Sequence, residues 1–201
     1  MIFLYADYGT GGTPLYEFEY KELEDGDYEL YHRVWAKYSP AKYSDVPYTN
    51  WYYEYVSPLS YAGIVDGYPD GMVRPNNKIT RAEVAMIFYR LLEDDVRSAN
   101  ESQVNSFGDV EQDMWFNTAV STISRLGIME GRTAGTFAPN EPITRAEFAT
   151  VCAQFDQSEV ETVCHFSDIS GHWAEAFIER ASALGWIAGY EDGTFRPENL
   201  I

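Results

Sequence analysis

The chain has 201 residues, 45% of them hydrophobic and 16% aromatic, enough to bury a sizeable core or to hold a repeat array beside a smaller module. Its 32 acidic against 14 basic residues give a formal charge of −18, which argues against a nucleic-acid backbone or an anionic membrane surface as partner, since both require a basic footprint. The 16 tyrosines and the aromatic content as a whole lie well above what a disordered acidic chain carries, so the protein is expected to fold.

In chain order, Met1-Ile2-Phe3-Leu4-Tyr5 is apolar but meets Asp7 too soon and follows no basic residue, so it does not qualify as a signal peptide. No later apolar run is long enough to span a bilayer. Tyr16, Phe18 and Tyr20 then alternate with Glu17, Glu19 and Lys21, and Glu24-Asp25-Gly26-Asp27 makes a turn before Tyr28, Leu30 and Val34-Trp35. That alternation predicts a β-hairpin. A lone hairpin is marginal in water, so residues 1–42 are expected either to pack on the rest or to end a preceding domain.

From residue 43 onward one pattern runs through the chain almost three times. Copy one goes from Ser44-Asp45-Val46 and Trp51, through Gly63-Ile64-Val65-Asp66-Gly67, Gly71 and Pro75, to Ile79-Thr80-Arg81-Ala82-Glu83. Copy two repeats it from Phe107-Gly108-Asp109-Val110 and Trp115, through Gly127, Gly131, Gly135-Thr136-Phe137 and Pro139, to Ile143-Thr144-Arg145-Ala146-Glu147. Copy three opens with Phe166-Ser167-Asp168-Ile169 and Trp173, passes Gly185, Gly189, Gly193-Thr194-Phe195 and Pro197, and reaches Ile201 where the chain stops. Trp to the first Gly is 63−51, 127−115 and 185−173, or 12 residues each time, while the period is 109−45 = 64 and then 168−109 = 59. Fixed spacing on this scale marks copies of one supersecondary unit that completes its core against its neighbours.

Within a copy, Trp115, Ala119, Ile123 and Leu126 fall on one helical face that ends at Gly127. The following loop carries Gly where positive φ is needed, then an apolar residue and a Pro that keeps the segment extended. A second helix begins at Thr80 or Thr144, where Thr and the Glu three residues on (Glu83, Glu147) have capping-box spacing. Val84, Ile87, Phe88 and Leu91 make its buried face in copy one, and Phe148, Val151, Cys152 and Phe155 in copy two. Asp94 to Asn105 reads as a polar, irregular linker. Cys152 and Cys164 are too few for a disulfide framework and lack zinc-site spacing; Cys152 is expected to pack as a small apolar residue, with a bond between the two as the alternative.

These motifs resemble the S-layer homology family, whose modules anchor proteins to the cell wall of mainly Gram-positive bacteria, and the resemblance covers residues 43–201. It implies a mainly α protein of tandem helix-loop-helix modules in a pseudo-threefold helical bundle, with a short β-hairpin segment in front: residues 1–42, then modules at 43–99, 106–163 and 166–201, the last stopping before its Thr-Arg-Ala-Glu tetrad. It further implies a non-catalytic, extracellular anchor, monomeric with an internal pseudo-trimer. Its grooves between modules would bind a secondary cell-wall polysaccharide, often through a pyruvate ketal. No cofactor, metal or membrane insertion is implied. Copy one departs from the family pattern at Tyr43 and Gly71-Met72-Val73, and copy two has Arg132-Thr133-Ala134 where the others have Tyr-x-Asp. Without a third tetrad, at least one groove is not expected to form as the family pattern has it.

The residue chemistry suits such a ligand. A ketal presents a compact carboxylate, and Arg81 and Arg145, directly after helix caps, offer planar forks of donors where unpaired amides add positive potential. Trp51, Trp115 and Trp173 offer flat apolar surfaces for a sugar ring, with core packing an equal alternative. Asp45, Asp109 and Asp168 suit sugar hydroxyls, a role in holding Arg, or N-capping of the first helix. Gly67, Gly131 and Gly189 would let backbone approach the sugar. For Thr80, Glu83, Thr144 and Glu147, capping is the better explanation. The arginines are the strongest candidates, because Arg in a first turn opposes the dipole and is expected to gain little structurally.

Three rivals stand beside this reading. A glycosidase needs two carboxyl groups in different environments at one site, whereas here similar acidic positions repeat around an array. His32, His165 and His172 do not recur with a Ser or Cys nucleophile. Calcium would suit Asp66–Gly71 and Glu191-Asp192-Gly193, but neither has EF-hand order and copy two lacks the carboxylates. A protein-interaction or lattice-forming array without glycan remains the third, and an accessory region of a secreted carbohydrate-active enzyme is a variant of the anchor.

Overall fold

The computed structural model describes residues 16–22, 28–35, 42–162 and 165–201. Two strands, β1 (Tyr16–Glu22) and β2 (Tyr28–Trp35), pair antiparallel with a register shift between Glu19 and Tyr20, as the alternation predicts. The remaining elements are helices: α1 (Tyr53–Tyr61), α2 (Arg81–Leu91), α3 (Asp94–Asn100), α4 (Asn117–Arg125), α5 (Arg145–Phe155) and α6 (Glu175–Ala183). The architecture is therefore mainly helical. Each copy contributes a short helix, a Gly-containing loop and, in copies one and two, a longer helix.

The short helices stop for one shared reason. In α4, Ile128 N–H donates to Ile123 O (3.0 Å) and Gly127 N–H to Ser124 O (3.0 Å), the paired bonds of a Schellman end, with Gly127 at φ 71°. Gly63 ends α1 and Gly185 ends α6 with the same pair of bonds and φ of 71° and 80°. The long helices start at complete capping boxes: Thr80 and Thr144 accept from the N–H of Glu83 and Glu147, whose carboxylates accept from the cap N–H at 2.8 and 2.9 Å.

Three structural features depart from the sequence reading. The segment read as an irregular linker contains α3, which packs on α4. Trp115 lies ahead of α4 rather than on its buried face, which is made by Ala119, Val120 and Ile123. The glycines at 67, 131 and 189 do not take positive φ; those at 63, 71, 127, 185 and 193 do.

Copies join in sequence. The long helix of one packs on the short helix of the next, α2 on α4 and α5 on α6. The seam is aromatic: Phe88 meets Phe155 (5.1 Å) and Phe148 (6.0 Å) edge-on and stacks on Trp186 (5.9 Å). Cys152 is buried and unpaired in the same core, and burial pushes its thiol up to about 12, so it packs as an apolar residue; Cys164 lies outside the described residues.

The pseudo-threefold relation closes at one point. Ile143 N–H donates to Ile79 O (3.1 Å), Ile201 N–H to Ile143 O (3.2 Å), and Ile79 N–H to Ile201 O (3.1 Å). Three equivalent isoleucines thus form a cyclic ring of backbone bonds, and two of them, Ile79 and Ile143, stand directly before the caps of α2 and α5.

Candidate functional site

At the junction of copies one and two, the ring places Arg81 directly against the loop of copy two. Its backbone N–H donates to Glu141 O (3.0 Å) and that of Ala82 to Pro139 O (2.9 Å). The side chain then reaches into the loop: Nε to Phe137 O (2.9 Å), Nη2 to Glu130 O (2.6 Å) and Nη1 to Glu147 (3.1 Å). Arg81 is 3% exposed, and burial pulls its pKa down against the opposing pull of Glu147. The expectation that this Arg gains little structurally is thus wrong. The side chain turns away from its own helix and satisfies acceptors in the neighbouring copy.

Arg145 repeats the arrangement one junction on. Its backbone N–H donates to Asn199 O (2.8 Å) and that of Ala146 to Pro197 O (2.9 Å), while Nε and Nη2 reach Phe195 O (2.8 Å) and Ala188 O (2.7 Å). Two differences matter. Arg145 is only half-buried, and its Nη1 has no hydrogen-bond partner among the described residues. Its guanidinium lies over Tyr190 (5.0 Å) and Phe195 (4.4 Å), and that of Arg81 over Phe137 (4.9 Å), so the rings beside the arginines are these and not the tryptophans.

The aspartates have a task of their own. Asp45 accepts from the N–H groups of Val73 and Arg74 (2.9 and 2.6 Å), Asp109 from Phe137 and Ala138 (both 2.8 Å), and Asp168 from Phe195 and Arg196 (both 2.7 Å). Arg74, Ala138 and Arg196 are left-handed at φ 58°, 62° and 56°, so each carboxylate clamps a strained turn, and those held by Asp109 and Asp168 present the Phe137 and Phe195 carbonyls that Arg81 and Arg145 use. For Asp168, burial raises the pKa, but the Phe195 and Arg196 amides outweigh it and hold it below the ordinary value. None of the three caps a first helix: those N-caps are Tyr52, Phe116 and Ala174, without side-chain cap bonds.

The glycines likewise serve packing within their own copy. A Cβ on Gly67, Gly131 or Gly189 would come within 2.4, 2.6 and 2.2 Å of Tyr43, Phe107 and Phe166, the opening aromatic of each copy. Their space is filled from inside. The tryptophans are the opposite case: Trp51, Trp115 and Trp173 are 78%, 62% and 61% exposed, so the core-packing alternative fails at all three equivalent positions.

Sequence reasoning passed over several groups. Arg132 binds Glu147 through Nε (2.9 Å) and Nη2 (3.2 Å) and also reaches Pro142 O, so two guanidiniums share one carboxylate at the first junction. Burial would raise the Glu147 pKa, but Arg132, the Thr144 amide and Arg81 together hold it below the ordinary value. In copies one and three the same place is taken by a repeated set: Arg74 over Tyr68 (4.1 Å) and on Asp70 (2.7 Å), Arg196 over Tyr190 (3.9 Å) and on Asp192 (2.8 Å). The Tyr-x-Asp pair and the Arg four residues after the Asp were visible in the sequence as a repeat within the repeat. Asp70 and Asp192, which prompted the calcium rival, are thereby engaged by arginines, and no group of three acidic, His or Cys side chains suited to a metal occurs among the described residues.

The S-layer homology domain profile matches residues 42–85, 106–149 and 165–201, the three copies. The chain belongs to the S-layer homology family. Across 147 residues, 67% of the chain, it is 42% identical to cell surface glycoprotein 1 of Acetivibrio thermocellus, and across 149 residues, 70% of the chain, 40% identical to the cellulosome-anchoring protein of the same organism. A surface-layer 125 kDa protein of Lysinibacillus sphaericus is 38% identical over 69% of the chain. The matches span 6%, 33% and 12% of those proteins, so this S-layer homology array corresponds to a minor part of each. No helix among the described residues is long and apolar enough to cross a membrane.

Proposed function

We propose that the S-layer homology array is a non-catalytic anchor that holds a secondary cell-wall polysaccharide and tethers its parent polypeptide to the bacterial envelope, outside the cell. The observation that carries this reading is the exposure of Trp51, Trp115 and Trp173, a large apolar ring kept in solvent at the same position in every copy. One exposed ring would need no explanation, but the same ring open at the same position of every copy makes a repeated flat platform, and a sugar face is a fitting cover. The relatives named for cell surface, surface layer and cellulosome anchoring support the same role.

For an acidic substituent such as a pyruvate ketal, the two tetrad arginines are not equal. Arg81 has a partner on each of its three side-chain nitrogens and is closed off, whereas Arg145 keeps Nη1 and is half-exposed, and Arg132 brings a partly exposed guanidinium to the first junction. We therefore assign carboxylate recognition to Arg145 and Arg132, with Arg81 holding the junction together. The array works as a monomer, its three copies supplying the symmetry. At −18 overall, the chain gives an anionic polymer no long-range steering, and contact within the screening length of about 8 Å must hold it.

The test is co-sedimentation with purified cell-wall sacculi, before and after acid extraction of the polysaccharide, using wild type, Arg145→Ala and a Trp51, Trp115, Trp173 triple Ala variant. The reading expects sedimentation that extraction abolishes and that both variants weaken at least tenfold while their melting temperatures stay within about 8 °C of wild type, so that both remain folded at the assay temperature. Equal sedimentation in every arm would reject it.

A further inference from the structure

The residue in front of each exposed tryptophan is pinned in the same way. Its N–H donates to the carbonyl three residues back, that of Pro47, Glu111 or Ile169 (3.0, 3.2 and 2.9 Å). Its carbonyl accepts from the N–H three residues on, that of Tyr53, Asn117 or Glu175 (all 3.0 Å). Asn50, Met114 and His172 are therefore the pivots that carry the tryptophans. The first two use their side chains within their own turn: Asn50 Nδ2 donates to the Tyr52 hydroxyl (2.5 Å), and Met114 Sδ accepts from the Glu111 N–H (3.4 Å). His172 instead ties its turn to another segment.

Its Nδ1 accepts from the Ala174 N–H (3.1 Å), and its Nε2 lies 2.9 Å from Glu198 Oε1. A backbone amide can only donate, so Nδ1 carries no proton and the ring is the neutral Nε2–H tautomer, donating to Glu198. Glu198 stands between Pro197 and Asn199, whose carbonyls receive the N–H groups of Ala146 and Arg145 (2.9 and 2.8 Å). The ring, 5.5 Å from that of Trp173, thus joins the tryptophan's turn to the loop on which α5 begins. The equivalent loop residues in copies one and two are Asn76 and Asn140. A second proton would enter at Nδ1 and set it against the Ala174 N–H, which is buried and has no other acceptor among the described residues. Of the charged groups on neighbouring segments, Glu175 holds the Gly171 N–H (2.7 Å), Asp168 the Phe195 and Arg196 amides, and Arg196 is on Asp192. Glu198 is left to favour the charged ring, and its side chain is 74% exposed, so solvent weakens that pull.

We propose that His172 is a positioning residue for Trp173, and that its neutral Nε2–H tautomer is the state that holds this tryptophan in place for wall glycan. The consequence for glycan rests on the reading of the tryptophans as sugar platforms. As pH falls and the ring gains its second proton, the Ala174 N–H loses its acceptor, the start of α6 loosens and Trp173 is released. Copies one and two, with Asn50 and Met114 as pivots, have no titrating group at this position, so the three platforms differ in their response to acid.

The test compares wild type, His172→Asn, His172→Ala and Trp173→Ala at about pH 8 and about pH 5.5, on either side of the range in which imidazole titrates. Asparagine bonds the amide two residues on, so His172→Asn keeps an acceptor for the Ala174 N–H without a titrating ring, and Asn50 already fills this position in copy one. Nitrogen-15 spectra of the histidine rings read the tautomer, and hydrogen exchange reads the protection of the Ala174 amide. Expected are the Nε2–H tautomer at the higher pH and a loss of protection of about fivefold or more in acid, absent in His172→Asn and present at both pH values in His172→Ala. Affinity for soluble wall polysaccharide should fall about threefold or more in acid for wild type, and stay level for His172→Asn and for Trp173→Ala. An Nδ1–H tautomer, protection indifferent to acid in wild type, or an equal acid loss in His172→Asn would overturn the proposal. A fall in affinity that persists in Trp173→Ala would also overturn it, since the effect would not pass through the tryptophan. Should no polysaccharide bind at either pH, the anchoring reading fails, while the tautomer and the amide still decide the role of His172.

Discussion

Replacing Arg81 by Ala separates the two roles that an arginine at a module junction can have. The substitution strips donors from the buried Phe137 O and the part-buried Glu130 O, and one partner from Glu147, which keeps Arg132. Each buried acceptor left unmatched costs about 1–3 kcal/mol, and removing one partner of a buried ion pair about 3–5 kcal/mol. Relief of the guanidinium's desolvation offsets part of that, so the net loss expected is about 3–5 kcal/mol. At about 2–4 °C per kcal/mol for a chain of this size, the melting temperature falls by about 6–20 °C. Arg145→Ala loses two carbonyl bonds at a half-exposed site and costs about 1–2 kcal/mol. Urea denaturation of both variants, with Arg81→Lys as an intermediate whose single ammonium cannot span three acceptors, supplies the comparison. An Arg81→Ala variant within 0.5 kcal/mol of wild type, or one less damaged than Arg145→Ala, would refute the structural assignment.

Ala138 sits at φ 62°, held by its N–H on Asp109 and by the Glu141 N–H on its carbonyl, bonds that a glycine keeps, so Ala138→Gly is expected to stabilise by up to about 1 kcal/mol in thermal melts; destabilisation would mean the turn is not strained. Gly131→Ala should unfold copy two or cost several kcal/mol, since its Cβ would lie 2.6 Å from both Phe107 and Thr133 O, while Gly135→Ala, with nothing within 4 Å, should be near neutral. Acid should weaken the fold in a defined window. The carboxylates of Asp156, bound by Trp186 and Ser158, and Asp192, bound by Thr194 and Arg196, fall from 3.8 to about 2, so the unfolded chain binds more protons below about pH 4. Their stabilisation is present above that point and is lost as pH falls toward 2; a melting temperature flat from pH 5 down to 2 would contradict it.

Much of the fold was legible because it was written three times. Gly63, Gly127 and Gly185 announced helix ends, and Thr80 and Thr144 with their glutamates announced helix starts, since both signals are local and depend on a few backbone groups. The site was legible only in part. Nothing local to Arg81 reveals that its acceptors lie 49 and 56 residues away, and so a side chain that binds copies together looked like a free ligand contact. The aspartates were misread for the same reason: their partners are loop amides 27 to 29 residues on, held in a turn whose left-handed residue is Arg or Ala rather than Gly. Exposure of the tryptophans was undecidable from helical phase, because each lies just outside the helix whose face it was taken to share.

Tryptophan fluorescence during titration with soluble wall polysaccharide, intact and after chemical removal of its pyruvate ketal, reports on the aromatic platforms and the acidic substituent together. Saturable quenching or enhancement that weakens at least tenfold once the ketal is gone is the outcome expected of the anchor. An identical response to both polymers would remove the carboxylate from the account, and no response to either would remove the glycan.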